Sequence, residues 1–480
     1  MEPRKEDAPA KGGKLKYLAG NIALFSISNF VSKILVFLLV PLYTGVLTTY
    51  EYGIADILQV TMLLLVPALT VNMGEAALRF GIERSDKRGS ILRCGLKYVL
   101  RADVLVAVLC LIGTVLVNDE IKWYLVLFIF LFAANSLYEY LVLFFQGSEK
   151  VPVVVIGSIS STLLMIVSNL IFLLVLKTGL SGYVFAQVIA YAAASAIMLI
   201  MGIRGDKTID FKEDRELSDE MLKYGKPLLL YSTGSWVNNA ADRYIVAGIC
   251  GSAANGVYGV SYKIPAILMV FQRIFAQAWQ MSATKSYKDE NSDEFFSGMY
   301  RAYNAFMVIG CAGLILIVRL LALILFKKDF YEAWRMVPPL LISVIFGALT
   351  GFLGSICLAH KDSKSMGIAT GIGAAVNVAL NFASVPYFGA MGAAWATAIS
   401  YFTMYFMAFM IVRRYVKITY NPVKDYAVYI LLILESVIMI LSLPYAYLIC
   451  TCIVAAILAI YFREYKVLLG GMFEKMRRGK

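Results

Sequence analysis

The stretch GLSGYVFAQVIAY at residues 179–191 recurs in altered form as GAMGAAWATAISY at residues 389–401. Glycine, alanine, isoleucine and tyrosine hold matched positions in both copies. A second match, in the same order and at nearly the same spacing, pairs the Tyr-Gly of residues 52–53 with that of residues 258–259. Two such matches indicate that the chain contains two copies of one structural unit.

The composition places both copies in a membrane. The chain has 480 residues, of which 60% are hydrophobic and 16% are charged, and its mean hydropathy is +0.74. Soluble proteins carry roughly 25% charged residues. About fourteen apolar segments of roughly 20 residues, the length of a spanning helix, lie between residues 18 and 462. Among them are 53–80, 256–281 and 297–325.

Six spans in each copy predict two lobes that enter the membrane in the same direction. An all-α polytopic protein with about 14 transmembrane helices is therefore expected. Its two six-helix lobes would be related by a pseudo-two-fold axis along the membrane normal, and a helix pair would be appended. The predicted parts are a cytoplasmic N-terminal tail (1–17), an N-terminal lobe (18–203), a cytoplasmic linker (204–224), a C-terminal lobe (225–415), the extra helix pair (416–462) and a basic cytoplasmic tail (463–480).

Lysine and arginine are distributed unevenly between the two sides of these spans. The chain has 44 of them, and all but five of those outside the spans fall on the side of the N-terminus. The exceptions are Lys122, Lys177, Lys327, Lys328 and Arg335. The positive-inside rule then predicts a multi-pass protein of the cytoplasmic membrane with both termini in the cytoplasm. It also explains the net charge of +12 without nucleic acid as a partner.

Enzyme classes find little support in the sequence. The seven cysteines and one histidine show no metal-ligand spacing. There is no phosphate-binding Gly-x-x-x-x-Gly-Lys-Ser/Thr motif, and no cluster of catalytic residues stands out. We therefore expect a protein that is not an enzyme and that has no metal and no cofactor.

Ionisable residues inside the spans are the candidate functional residues, because they are costly in hydrocarbon and usually face the protein interior. The segment NFVSKILVFLLVPLY (29–43) carries Lys33, and the repeat places Lys33 and Arg243 on the same face of equivalent helices. We expect these two cations to face each other across a central cleft. Side chains that reach the membrane surface, or that pair internally, are the alternative.

Other ionisable residues extend this hypothesis. Cations within the spans outnumber acids, which favours an anionic ligand such as phosphate. The predicted central cations are Lys33, Arg79, Arg243, Lys263 and Arg273. A stripe spaced by four residues, formed by Arg93, Lys97 and Arg101, would attract the anion at the cytoplasmic entrance. Acids assigned to ion coupling or charge compensation are Asp56, Glu75 and Asp242.

Two stretches resemble a known family. SNFVSKILVFLLVPLYTGVLTTYEYGIADIL (28–58) and NNAADRYIVAGICGSAANGVYGVSYKI (238–264) are similar to the Wzx-like flippases of the multidrug/oligosaccharidyl-lipid/polysaccharide (MOP) exporter superfamily. The resemblance implies a two-lobed flippase that moves undecaprenyl-diphosphate-linked oligosaccharide to the outer leaflet by alternating access, coupled to a proton or sodium gradient. It also implies membrane lipids, a polysaccharide polymerase and glycosyltransferases as partners, in the bacterial cytoplasmic membrane. One departure from the family is Gly45, which stands where a basic residue is common.

Three other functions stay open at this stage. A multidrug/cation antiporter of the same superfamily would require acids to dominate the cavity. A lipid II-type flippase fits the count of fourteen spans. A membrane-embedded glycosyltransferase or polymerase would need catalytic acids in a sizeable outer loop, whereas the longest outer loop is FKKDFYEAWR (326–335).

Overall fold

The computed structural model describes residues 37–204, 214–287 and 292–465, and this part of the chain is helical without β-strands. The helices of the first half are α1 (Val40–Val46), α2 (Thr49–Leu69), α3 (Met73–Glu83), α4 (Arg88–Leu116), α5 (Asp119–Gly147), α6 (Val151–Asn169), α7 (Gly179–Ile203) and α8 (Arg215–Cys250). Those that follow are α9 (Ser252–Ser261), α10 (Pro265–Ser286), α11 (Ser292–Leu316), α12 (Val318–Leu325), α13 (Val337–Ala359), α14 (Ser363–Val412), α15 (Pro422–Leu441) and α16 (Ala446–Ile460).

Length and hydropathy mark these helices as membrane segments. Eight helices of the described residues are long and apolar enough to cross a membrane, and α16 is a shorter apolar helix. Large apolar side chains also stand on the outside of the protein, such as Val115 and Leu116, which are 81% and 82% exposed. Such surfaces suit a hydrocarbon solvent. The predicted all-α polytopic class is confirmed.

Three predicted spans are broken into helix pairs. The span 53–80 consists of α2 and α3, which are separated by Val71 and Asn72 in the left-handed region, at φ 53° and 52°. For a β-branched valine this conformation is an outlier that surrounding contacts must hold. The span 256–281 forms α9 and α10, and the span 297–325 forms α11 and α12.

The last two spans of the second copy are two helices that meet at a kink. They are described together as α14, whose 50 residues are interrupted by non-helical dihedral angles at Gly389 (φ 57°, ψ −145°). Only glycine adopts this combination without strain. The turn between two spans is thus reduced to a single residue.

Contacts divide the described chain into two compact units. The first contains Leu58–Thr233, and the second contains Val40–Ile57 together with residues 234–465. Helix α8 begins at Arg215, inside the predicted linker, and continues without a break from the first unit into the second. The predicted bounds of the two lobes remain a prediction.

The first unit is held by an apolar core and by ion pairs near its linker. Met73, Ala76 and Phe144 are buried in a cluster that draws on α3, α4, α5, α6, α7 and the start of α8. Lys87 contacts Asp214 at 2.6 Å between Nζ and Oδ2. The backbone N–H of Leu217 also donates to Asp214, and these contacts lower the pKa of that carboxyl below its usual value.

Stacked rings dominate the core of the second unit. The rings of Phe275 and Tyr303 stack at 3.7 Å between centroids, and those of Trp279 and Phe352 stack at 4.2 Å. The indole N–H of Trp279 donates to the carbonyl of Phe352 at 3.0 Å. These contacts join α10, α11 and α13 into one rigid block.

Helices α2 and α9 cross at very short range within the second unit. A Cβ placed on Gly53 would lie 1.8 Å from the carbonyl oxygen of Ser252, and one on Gly256 would lie 1.9 Å from that of Thr49. Only glycine allows the two backbones this approach. The crossing brings Asp56 of α2 against α9 and thereby positions the site described next.

Candidate functional site

A buried ion pair joins the two copies of the repeat inside the second unit. Nη1 of Arg243 on α8 lies 2.7 Å from Oδ1 of Asp56 on α2, and the two side chains are 17% and 10% exposed. The amide of Asn255 donates to Oδ2 of Asp56 at 3.3 Å and to the carbonyl of Gly53 at 3.2 Å. Asp56 therefore forms an ion pair with Arg243, and its role in ion coupling or charge compensation remains a prediction.

The guanidinium of Arg243 keeps unused binding capacity. It lies over the ring of Tyr262 at 4.8 Å, and its buried Nε has no hydrogen-bond partner in the described part of the chain. Guanidinium groups bind oxyanions through two parallel N–H donors. Arg243 can therefore donate a hydrogen bond to a second oxygen in addition to the carboxylate of Asp56.

The neighbouring Asp242 is satisfied by hydroxyl groups. The hydroxyls of Tyr258 and Tyr262 donate to its Oδ2 at 2.5 Å and 2.9 Å, and that of Thr397 lies at 3.4 Å. The other carboxylate oxygen of Asp242, Oδ1, accepts a hydrogen bond from the backbone N–H of Arg243 at 2.9 Å. Asp242 is only 2% exposed.

Two amides on α14 extend this polar cluster. The amide nitrogen of Asn377 lies 3.4 Å from the hydroxyl oxygen of Thr397, and Asn381 donates to Oδ1 of Asn377 at 3.1 Å. Oδ1 of Asn381 is buried without a hydrogen-bond partner within the described ranges. A chain of polar contacts thus runs from Asp242 through Thr397 and Asn377 to Asn381.

Only some of the predicted central cations come together. Lys33 lies outside the described residues. Lys263, at the break between α9 and α10, is close enough to Asp56 for their charges to interact. Arg273 lies further along α10 with an exposed side chain. Arg79, in the first unit, pairs with Glu83 at 3.0 Å between Nε and Oε1, and both side chains are about half exposed.

The predicted entrance stripe is exposed as a row. Arg93, Lys97 and Arg101 follow one another on one side of α4, all with exposed side chains. The guanidinium of Arg101 lies over the ring of Tyr98 at 5.2 Å. Their role at an entrance remains a prediction.

A cavity of about 350 Å³ lies within the first unit. Glu75 on α3 and Glu139 on α5 line it, together with Asn72, Ser136 and Ser232. The sequence shows Glu139 as an ionisable residue inside a span, but only the structure places it on the same cavity as Glu75. The partners of Asp242 are likewise missed from the sequence, although Tyr258 and Tyr262 are four residues apart on one helix face, as cooperating side chains are.

Residues 18–280 match the family of polysaccharide biosynthesis proteins. This region includes both sides of the Asp56–Arg243 pair. The chain belongs to that family. The resemblance inferred from the sequence is thereby confirmed, and polysaccharide biosynthesis is the process in which this family member takes part.

Solved structures with the same fold are transporters of the MOP superfamily. An inward closed structure of the lipid II flippase MurJ has a TM-score of 0.68 at 16% identity, covering 94% of this chain and 100% of that one. An inward-facing multidrug resistance MATE family transporter has a TM-score of 0.68 at 13% identity, covering 85% and 98%. A MOP superfamily transporter from Pyrococcus furiosus has a TM-score of 0.53 at 14% identity, covering 82% and 92%. At these identities the likeness shows the fold alone. No curated protein matches the sequence.

Proposed function

We propose that this polysaccharide biosynthesis protein is a flippase for undecaprenyl-diphosphate-linked oligosaccharide, moving the polysaccharide repeat unit from the inner to the outer leaflet. The observation that carries the proposal is Arg243, a membrane-embedded guanidinium within the family-matched region, with a buried N–H still unpartnered. A diphosphate is the oxyanion in such a substrate, and arginine binds it in bidentate geometry.

Asp56 acts in this proposal as the anion that the diphosphate replaces. While the site is empty, the carboxylate neutralises Arg243, because an uncompensated buried charge is strongly destabilising. When the diphosphate arrives, it takes over the guanidinium and nearby Lys263. Release on the outer side then follows as Asp56 regains its partner.

The exposed row of Arg93, Lys97 and Arg101 supplies the first contact with the diphosphate at the cytoplasmic side. Electrostatic attraction of this kind raises the local concentration of an anionic substrate. The two units then move by alternating access, as in other transporters built from repeats. A membrane-bound substrate of this type would come from glycosyltransferases and pass to a polymerase in the bacterial cytoplasmic membrane.

We assign the coupling ion, H⁺ or Na⁺, to Asp242. The support is its oxygen-rich surroundings, the hydroxyls of Tyr258, Tyr262 and Thr397, since oxygen ligands are those that hard cations prefer. Asp242→Asn removes the charge and is expected to abolish any dependence of transport on a sodium or proton gradient. Transport by this variant that still follows the gradient would rule out the assignment.

Binding of undecaprenyl diphosphate to the purified full-length protein tests the diphosphate site. Arg243→Gln is expected to weaken binding at least tenfold, about 1.4 kcal/mol or more, whereas Asp56→Asn strengthens it by removing the competing anion. Arg319→Gln is the matched control, because its Nε is likewise buried without a partner among the described residues, but it lies outside the family-matched region and donates to Met439 and Ser442 at the appended pair. Equal affinities of the Arg243 and Arg319 variants would refute the proposal.

The cavity lined by Glu75 and Glu139 favours a second candidate, a multidrug/cation antiporter. Lipophilic cations need acids in a binding cavity, and this cavity has two. Drug resistance in a pump-deficient strain separates the candidates. Resistance that is lost in Glu139→Gln, without a loss of polysaccharide export in the parent organism, would favour the antiporter.

A further inference from the structure

The cavity of the first unit combines polar and apolar walls. Glu75, Glu139 and Asn72 lie on it, and Leu63, Val66 and Leu143 supply apolar surface. All of these residues belong to the first unit. A binding site with a few convergent polar groups on an otherwise apolar wall is the usual form of a site for a small molecule.

The polar groups of this cavity have capacity that the protein does not use. Asn72 is only 6% exposed, and its Oδ1 accepts a hydrogen bond from Ser232 at 3.1 Å. Its Nδ2, however, is buried without a hydrogen-bond partner in the described residues. A buried donor without a hydrogen bond costs roughly 1–3 kcal/mol of stability. A ligand oxygen that accepts from Nδ2 would remove this cost.

Neither carboxylate forms an ion pair within the described ranges of the chain. Glu139 is contacted by the amide of Asn135 at 3.3 Å. The cation one turn from Glu75, Arg79, is engaged by Glu83. Carboxylates accept up to four hydrogen bonds each, so the cavity offers many acceptors, and the unpartnered Nδ2 of Asn72 adds a donor to its lining.

The size of the cavity decides against a bare ion. A volume of about 350 Å³ corresponds to roughly twelve water molecules at ~30 Å³ each. Metal ligands lie about 2–2.6 Å from the ion, so an ion alone would leave most of this space empty. Within the described ranges, no group of three or more His, Cys, Asp or Glu residues could hold a metal ion.

We propose that this cavity binds a neutral or amino-bearing sugar ring of the substrate and rejects acidic sugars. Sugar hydroxyls or an ammonium group donate to Glu75 and Glu139, and a ring or carbonyl oxygen accepts from Asn72. The C–H face of the ring packs on the apolar wall. A carboxylate on the sugar would meet two like charges, which is how a site excludes a competitor. The inference rests on the proposed flippase function and adds a sugar subsite to it.

Ligand-observed NMR on the purified full-length protein tests this subsite, with glucose, glucosamine and glucuronate as probes. We expect glucose and glucosamine to bind with Kd values of millimolar order, typical of weak single-ring ligands, and glucuronate at least tenfold more weakly. Glu139→Gln should weaken glucosamine binding at least fivefold and reduce the discrimination against glucuronate. Glu120→Gln, on the same helix as Glu139 but outside the cavity lining, should change neither.

Several results would overturn the inference. These are an absence of sugar binding, equal affinity for glucuronate, and tighter binding of tetraphenylphosphonium than of glucosamine. Undecaprenyl diphosphate binding distinguishes this failure from that of the proposed function. If the diphosphate lipid binds and the sugars do not, only the sugar subsite is wrong; if the sugars bind and the diphosphate lipid does not, only the diphosphate site is wrong.

Discussion

Replacing Asp56 with asparagine leaves the guanidinium of Arg243 buried without its charge partner. The side chains are 17% and 10% exposed, so water can hydrate the freed cation only poorly. Breaking a buried pair in this way costs about 3–5 kcal/mol. The ring of Tyr262, 4.8 Å from the guanidinium carbon, offsets part of this cost through a cation–π contact. We therefore expect Asp56→Asn to lower the free energy of unfolding by about 3 kcal/mol, at the low end of that range.

A double-mutant cycle in mixed micelles, with unfolding driven by sodium dodecyl sulfate, measures this loss. Asp56→Asn combined with Arg243→Gln should cost less than the sum of the single changes by about 2 kcal/mol, because no charge is then left alone. Glu332→Gln is the control: its pair with Arg335 has 52% and 57% exposed side chains, and such pairs contribute about 0–1 kcal/mol. Additive costs in the cycle, or a loss for Asp56→Asn no larger than that of the control, would refute the reasoning.

Three further predictions concern the backbone and the linker. Gly53→Ala places a methyl group 1.8 Å from a carbonyl oxygen and should lower the free energy of unfolding by about 2 kcal/mol, a typical cost of overpacking. Gly248→Ala is the control, because a methyl group there has nothing within 4 Å, and it should be neutral or slightly stabilising in the same unfolding assay. Gly389→Ala should cost about 1–3 kcal/mol because of its φ and ψ, and Gly371→Ala, in open space on the same helix, should not. Because the folded pKa of Asp214 is lowered, its contribution is present above the unfolded pKa of about 3.9 and is lost as pH falls through the folded value. Asp214→Asn should therefore lower the unfolding midpoint near neutral pH, and this difference should shrink as pH falls below the unfolded value of about 3.9; a difference that does not change with pH would contradict the assignment.

The sequence predicts the helical membrane fold well, because hydropathy over about 20 residues is a strong signal. It does not predict the break at Val71 and Asn72, since a valine at positive φ runs against its own preference and is imposed by packing. Gly389 is the converse case. A glycine between two spans predicts a turn, and the structure confines that turn to one residue.

The residues of the candidate site can also be separated into those that the sequence predicts and those that it does not. Arg243 and Asp242 are recognisable as charges in apolar segments, a signal that survives without coordinates. Their partners cannot be recognised in this way, because Asp56 lies 187 positions from Arg243 and Thr397 lies 155 positions from Asp242. Neither residue type nor periodicity specifies pairing at that distance. Glu75 and Glu139 likewise line one cavity only because tertiary packing brings their helices together.

The second unit is synthesised in two pieces that are separated by the whole of the first unit's main segment. Its first piece, Val40–Ile57, leaves the ribosome before the whole of Leu58–Thr233, which belongs to the other unit. Asp56 must therefore enter the membrane 187 residues ahead of Arg243. At about 5–20 residues per second, the carboxylate waits roughly 10–40 s for its partner. Completion of the second unit is thus a late event in biogenesis, and a nascent chain stalled before Arg243 exposes an acid that the membrane insertion machinery, or a quality-control protease, can detect.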